Sequence, residues 1–180
     1  MSRAVLSIGS NLGDRQAHLR SVTDAFAPWL VAVSPIYTTA PWGGVEQDDY
    51  LNAVLVVDDP AADPREWLHR GRRLEQAANR VREVRWGART LDVDVICCAT
   101  ADPAGGPATP VHSTDPELIL PHPQAHHRAF VLVPWLAAEP DATLEVDGRS
   151  LPVRELLAAL DPAERDGVRR TDLTLGAVSR

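Results

Sequence analysis

The sequence contains no lysine; all 18 basic residues are arginine. That absence excludes a P-loop, whose lysine reaches the β- and γ-phosphates, and it excludes a Schiff-base lysine. Any phosphate chemistry must run on arginine, metal ions and backbone amides. Cysteine is scarce as well. Cys97 and Cys98 are adjacent, and strand neighbours point to opposite faces, so no ordinary disulfide is expected and a reducing cytoplasm suits the chain. No run of about 20 apolar residues is present, so no membrane span is expected. The opening run Met1–Gly9 is too short and too quickly polar for a signal peptide and reads as a strand. A basic surface is lacking too: the net charge is −7, which argues against nucleic-acid binding. The 180 residues, 44% hydrophobic, are expected to form a single domain, monomeric, with about 161–180 as a weakly ordered tail.

Hydrophobic periodicity and punctuation then give an order of elements. A strand is expected over 4–8 and a helix over 15–27, capped by Asp14 and striped with Leu19, Val22, Ala25 and Phe26. Strands follow at 31–38 and 50–57, with a loop over 39–49 between them. Asp63-Pro64-Arg65-Glu66 is a helix start, with a capping Asp, Pro at the first helical position and Glu three after the cap. That helix runs to about 79, and a fourth strand spans 91–98. Strand, helix, strand, strand, helix, strand is the ferredoxin-like βαββαβ pattern, an α+β fold with helices on one face of the sheet. Residues 99–116 are rich in Pro, Gly and Thr and are expected to be a mobile surface loop. Further helices are expected near 125–137 and 153–160.

The chemistry concentrates in Arg80–Ile96. Asp92 and Asp94 lie two apart on a strand, so both project from one face with Cα atoms about 6.5–7 Å apart, while Leu91, Val93 and Val95 face the core. Two such carboxylates can converge on magnesium, which is usually held by one or two carboxylates plus substrate phosphates. An isolated Asp-x-Asp is more often a half-exposed strand. Here Arg70, Arg72, Arg73, Arg80, Arg82, Arg85 and Arg89 lie just upstream. Arg70 and Arg73 read as solvated helix residues, but the later arginines continue into a loop with Trp86 and Gly87. Carboxylates beside arginines are what polyphosphate transfer requires. Asn52 sits inside an apolar strand, where a buried carboxamide must find partners.

Arg85-Trp86-Gly87-Ala88-Arg89-Thr90-Leu91-Asp92-Val93-Asp94-Val95-Ile96 resembles the diagnostic segment of the hydroxymethyldihydropterin pyrophosphokinases. The other landmarks, in order, are Ile8–Gly13, Tyr37–Pro41, Tyr50–Ala53, Pro121-His122 with Arg128–Phe130, and Val131–Leu136. The resemblance implies an ATP-dependent pyrophosphokinase of folate synthesis acting on two small molecules, ATP and the pterin alcohol. It further implies that Asp92 and Asp94 hold two magnesium ions and that Arg80 and Arg89 stabilise the phosphates. Arg82 and Trp86 would belong to a loop over ATP, with Glu75, His122 and Arg128 also at the nucleotide. Tyr50 and Phe130 would sandwich the pterin, Asn52 would read its amide edge, and Thr39, Ala40 and Trp42 would line it, mainly through backbone.

Some positions depart from the family pattern. Ala88 stands where proline is common, and Glu117 and Ile119 stand where some members carry a basic and a hydroxyl residue at ATP. Trp42 is bulkier than usual, and the 99–116 loop is longer. Two other readings remain at this point. One is another magnesium-dependent nucleotidyl or phosphoryl transferase using the same Asp-x-Asp pair. The other is a base-stacking RNA-recognition module of the same fold, disfavoured by the charge.

Overall fold

A computed structural model describes residues 2–41, 46–78, 90–102 and 104–176. Strand β1 (Ser2–Ser10) leads into α1 (Arg15–Phe26), which starts where the Asp14 carboxylate accepts Ala17 N–H at 3.0 Å. The single strand expected over 31–38 is two, β2 (Leu30–Val33) and β3 (Tyr37–Thr39). Pro35 has no N–H to give a ladder, so pairing breaks there. Ser34 bridges the gap: its N–H donates to Val54 O, and Val54 N–H donates to Ser34 Oγ, both at 2.9 Å. The long apolar strand β4 (Tyr50–Asp59) and α2 (Pro64–Ala77) follow, and Asp63 caps α2 by accepting Glu66 N–H at 2.9 Å. Strand β5 (Asp92–Thr100) completes the βαββαβ unit.

Within 99–116, expected to be loop throughout, lie β6 (Thr109–Pro110) and β7 (Ser113–Asp115); β7 pairs with β8 (Leu118–Leu120). After α3 (Ala129–Ala138) comes a hairpin of β9 (Thr143–Val146) and β10 (Arg149–Pro152), then α4 (Val153–Ala158), α5 (Pro162–Asp166) and β11 (Arg169–Arg170). The main sheet runs β11-β3-β4-β1-β5-β6, with β2 also on β4, and its pairs are antiparallel. The fold is α+β with the ferredoxin-like arrangement at its centre. No described helix is long and apolar enough to cross a membrane.

Two expectations are corrected. Helices cover both faces of the sheet. Helices α1 and α2 pack on the face carrying Leu6, Ile8, Leu55, Val93 and Val95, while α3 packs on the opposite face over Val5, Val54, Val56 and Ile96. The physical reason is the all-apolar α3, whose Val131, Leu132 and Trp135 must leave water and have only the second face to cover. The segment from 161 is also not a loose tail. Its described part, 161–176, carries α5 and β11, and Leu175 is buried in the helix-side core.

Candidate active site

The cross-strand register builds the site. Gly9 of β1 lies opposite Asp92 on one side and Asn52 on the other; Ser7 lies between Asp94 and Val54. Asp92, Gly9 and Asn52 therefore form one row across three strands, on the face that α3 covers only farther along. Leu91, Val93 and Val95 turn into the opposite core as expected. Two contacts fix this part of β5 against α2. Glu75, buried at 7% exposure, accepts Val93 N–H at 3.0 Å through Oε1. Gly71 lets the helix approach, since a Cβ there would lie 2.9 Å from Val93 Cγ1.

A β-bulge delivers the next group. Leu6 pairs with Val95 but Val5 with Cys97, so Ile96 is the extra residue. Its carbonyl accepts His122 N–H at 2.7 Å, which fixes His122 against β5 two residues past Asp94. Gln124 N–H donates to His122 Nδ1 at 3.2 Å. Burial holds the imidazole below its ordinary pKa and Arg128 adds to that, while the Asp94 carboxylate opposes it. Arg128 stands at the start of α3 with Nη1 4.0 Å from Asp94 Oδ2 and its guanidinium 5.6 Å from the Phe130 ring centre. Asp94, His122, Arg128 and Phe130 thus form one group of charge and ring.

The second group surrounds Asn52. This side chain is 4% exposed, and its Nδ2 donates to Thr39 Oγ1 at 2.7 Å. A Cβ on Gly9 would lie 3.0 Å from Asn52 Oδ1 and 3.7 Å from Tyr50 Cδ1, so only glycine lets the carboxamide lie against β1. Tyr50 opens β4 opposite Thr39, and Ala40 follows as an exposed residue. Residues that sequence reasoning missed hold the approach to Tyr50. Asn11 Nδ2 donates to Gln47 Oε1 at 2.8 Å and to Asp48 O at 3.2 Å, and Arg15 Nη1 donates to Asp49 O at 2.7 Å. No local signal marks these contacts, whose partners lie 34 to 37 residues away.

Several expected residues are placed elsewhere or lie outside the described residues. Trp42, Arg80, Arg82, Trp86 and Arg89 belong to the second class. Glu75 accepts Val93 N–H of β5, as given above. Glu117, one of the departures, faces Arg65 and Arg72, each at 3.4 Å, and Ile119 is 43% exposed. Arg70 is not solvated. It lies 3.9 Å from the Trp29 ring centre and 4.9 Å from that of Trp67, and it pairs with Asp59 at 2.7 Å and Glu66 at 2.9 Å. Trp67 lies three residues before Arg70 on α2, while Trp29 arrives from the turn after α1 and supplies a π-face that a helix pattern does not reveal.

The donor set fits a hard divalent cation. Two carboxylates share one strand face, and among the described residues no three His, Cys, Asp or Glu form a full cage. Such an arrangement suits magnesium, which takes its remaining ligands from water and substrate phosphates.

The family model of 7,8-dihydro-6-hydroxymethylpterin-pyrophosphokinase (HPPK) matches residues 5–140. The chain belongs to this family. Curated relatives named 2-amino-4-hydroxy-6-hydroxymethyldihydropteridine pyrophosphokinase include that of Mycobacterium tuberculosis, 56% identical over 94% of this chain and 89% of its own length. The Mycobacterium leprae relative is 57% identical over 97% of this chain and 92% of its own, and that of Methylorubrum extorquens is 39% identical over 96% and 100%. Among solved structures, wild-type HPPK-DHPS of Plasmodium falciparum matches 87% of this chain with TM-score 0.58 at 14% identity. An HPPK-DHPS in complex with substrates matches 88% with TM-score 0.60 at 12% identity. These two show the shared HPPK fold, and this chain spans less than half the length of either one, at 44% and 43%.

Proposed function

We infer that this chain transfers pyrophosphate from ATP to 6-hydroxymethyl-7,8-dihydropterin, giving the pterin diphosphate and AMP, as one cytoplasmic, monomeric pyrophosphokinase domain of folate synthesis. Family membership supports the reaction. The observation that carries the site assignment is the row Asp92–Gly9–Asn52, with Asp94 two residues along β5. A carboxylate pair and a buried carboxamide share one face of one sheet, so a phosphate donor and a flat heterocyclic acceptor can meet there.

Asp92 and Asp94 would hold two magnesium ions. Such ions would neutralise phosphate charge and polarise the acceptor hydroxyl. Arg128 and His122 bind the nucleotide from the α3 side. Arg80 and Arg89 stabilise charge developing on the transferring group, and Arg82 and Trp86, with Glu75 near the nucleotide, complete the ATP set. Tyr50 and Phe130 stack on the pterin. Asn52 offers it one donor and one acceptor, and Thr39, Ala40 and Trp42 border it. The hydroxymethyl oxygen attacks the β-phosphorus in line. A new O–P bond forms, the bond from β-phosphorus to the α,β-bridging oxygen breaks, AMP leaves with that oxygen, and the hydroxyl proton is lost.

Position-specific labelling tests the reaction. With ATP labelled at the α-, β- or γ-phosphate, the β and γ labels are expected in the pterin product and the α label in AMP. Release of labelled ADP, or of inorganic pyrophosphate with the α label on the acceptor, would instead mean another transferase chemistry on the same carboxylates.

A further inference from the structure

The family model ends at residue 140, and the chain beyond it returns to the Asn52 side of the sheet. Arg169 and Arg170 pair with Thr38 and Tyr37, which makes β11 the outer neighbour of β3. Thr171 closes this ladder. Its N–H and its hydroxyl both donate to Ile36 O, at 3.0 and 2.8 Å, and its Oγ1 accepts Leu173 N–H at 3.1 Å. Farther on, Leu173 and Leu175 enter the helix-side core, and Gln16 Nε2 of α1 donates to Thr174 O at 3.2 Å. The segment is thus fastened to β3 at one end and to the core and α1 at the other.

Strand β3 has three residues, and among the described residues its other strand partner is β4. A strand this short is weakly held by one ladder alone. Yet its last residue, Thr39, accepts the Asn52 amide at 2.7 Å, and this bond sets which way the carboxamide points, with Oδ1 toward Gly9.

We propose that Arg169–Leu175 is a positioning strap for the acceptor pocket: it holds β3 against β4, β3 holds Thr39, and Thr39 sets the amide of Asn52. Thr171 is its key positioning residue and acts on affinity for the pterin, not on the transfer step. The proposal rests on the assignment of Asn52 and Thr39 to the pterin.

The full chain is compared with Thr171→Ala, Thr171→Ser and a truncation after residue 167. Two readouts are used: steady-state AMP formation with each substrate varied, and amide hydrogen exchange of residues 37–39 and 50–52. Thr171→Ala is expected to raise the pterin KM about fivefold, the scale of one lost hydrogen bond, with kcat and the ATP KM changed less than about twofold. Thr171→Ser is expected to restore the pterin KM, and the truncation is expected to speed exchange at 37–39 and 50–52. Unchanged exchange in the truncation overturns the strap. So does a pterin KM in Thr171→Ala that stays at the wild-type value, or a rise in both KM values together. A wild-type chain that makes no AMP from the pterin overturns the functional reading instead, and the strap's assignment falls with it whatever exchange shows.

Discussion

Gly9 shows how much one side chain decides at the residue scale. A methyl group there would stand 3.0 Å from Asn52 Oδ1, so Gly9→Ala must push the carboxamide aside by a few tenths of an ångström. The pterin KM is expected to rise about fivefold, as for one impaired hydrogen bond, while the ATP KM stays near wild type; kinetics with each substrate varied in turn check this. The shared strand face of Asp92 and Asp94 and the partnered burial of Asn52 were legible in the sequence, because strand alternation is local and a polar residue in an apolar run stands out. Asn11 and Arg15 were not, since their partners lie 34 to 37 residues away and no local pattern records such contacts. Arg70 was misread for the same reason: the ring it covers most closely, Trp29, belongs to another element.

At the scale of elements, the tie between α2 and β5 decides where the carboxylate pair stands. Asp92 and Asp94 flank Val93, whose N–H donates to buried Glu75. Glu75→Ala leaves that buried N–H without its acceptor and is expected to cost about 1–3 kcal/mol, lowering Tm by about 2–12 °C for a chain of this size. Its kcat is expected to fall as well, because the strand carrying both carboxylates loses its brace. Glu75→Gln keeps an acceptor and is expected to do less on both counts; thermal melts and turnover on the same preparations check the pair. The presence and order of β1, α1, β4, α2 and β5 could be read from caps and periodicity, while several ends lie one or two residues from those expected, as in β1, expected over 4–8 and found at Ser2–Ser10. The split of 31–38 into β2 and β3 was signalled by Pro35. The bulge at Ile96 was not signalled, because it depends on pairing with β1 and on the backbone of His122.

For the whole molecule, the order of strands and helices was readable but the second covered face was not. An all-apolar α3 has no period to say which surface it seeks, and β11, two exposed arginines, joins the sheet through its backbone pairing with β3. Acid stability also belongs to this scale, because Arg70 joins the end of β4, helix α2 and the turn before β2. The Asp59 carboxyl is held below its ordinary pKa by Ala61 N–H and by Arg70. A carboxylate lowered on folding contributes stability above its unfolded pKa, and that contribution is lost as pH falls through the folded value. Unfolding free energy is therefore expected to decline below about pH 4, and Arg70→Gln is expected to flatten that decline; urea melts across pH check this. The most direct test of the carboxylate pair compares wild type with Asp94→Ala, using ATP, 6-hydroxymethyl-7,8-dihydropterin and increasing magnesium, with AMP and pterin diphosphate as products. Magnesium-dependent AMP and pterin diphosphate from wild type, with neither above background from a folded Asp94→Ala, is the expected result. Comparable AMP from both proteins, or none from wild type, would contradict it.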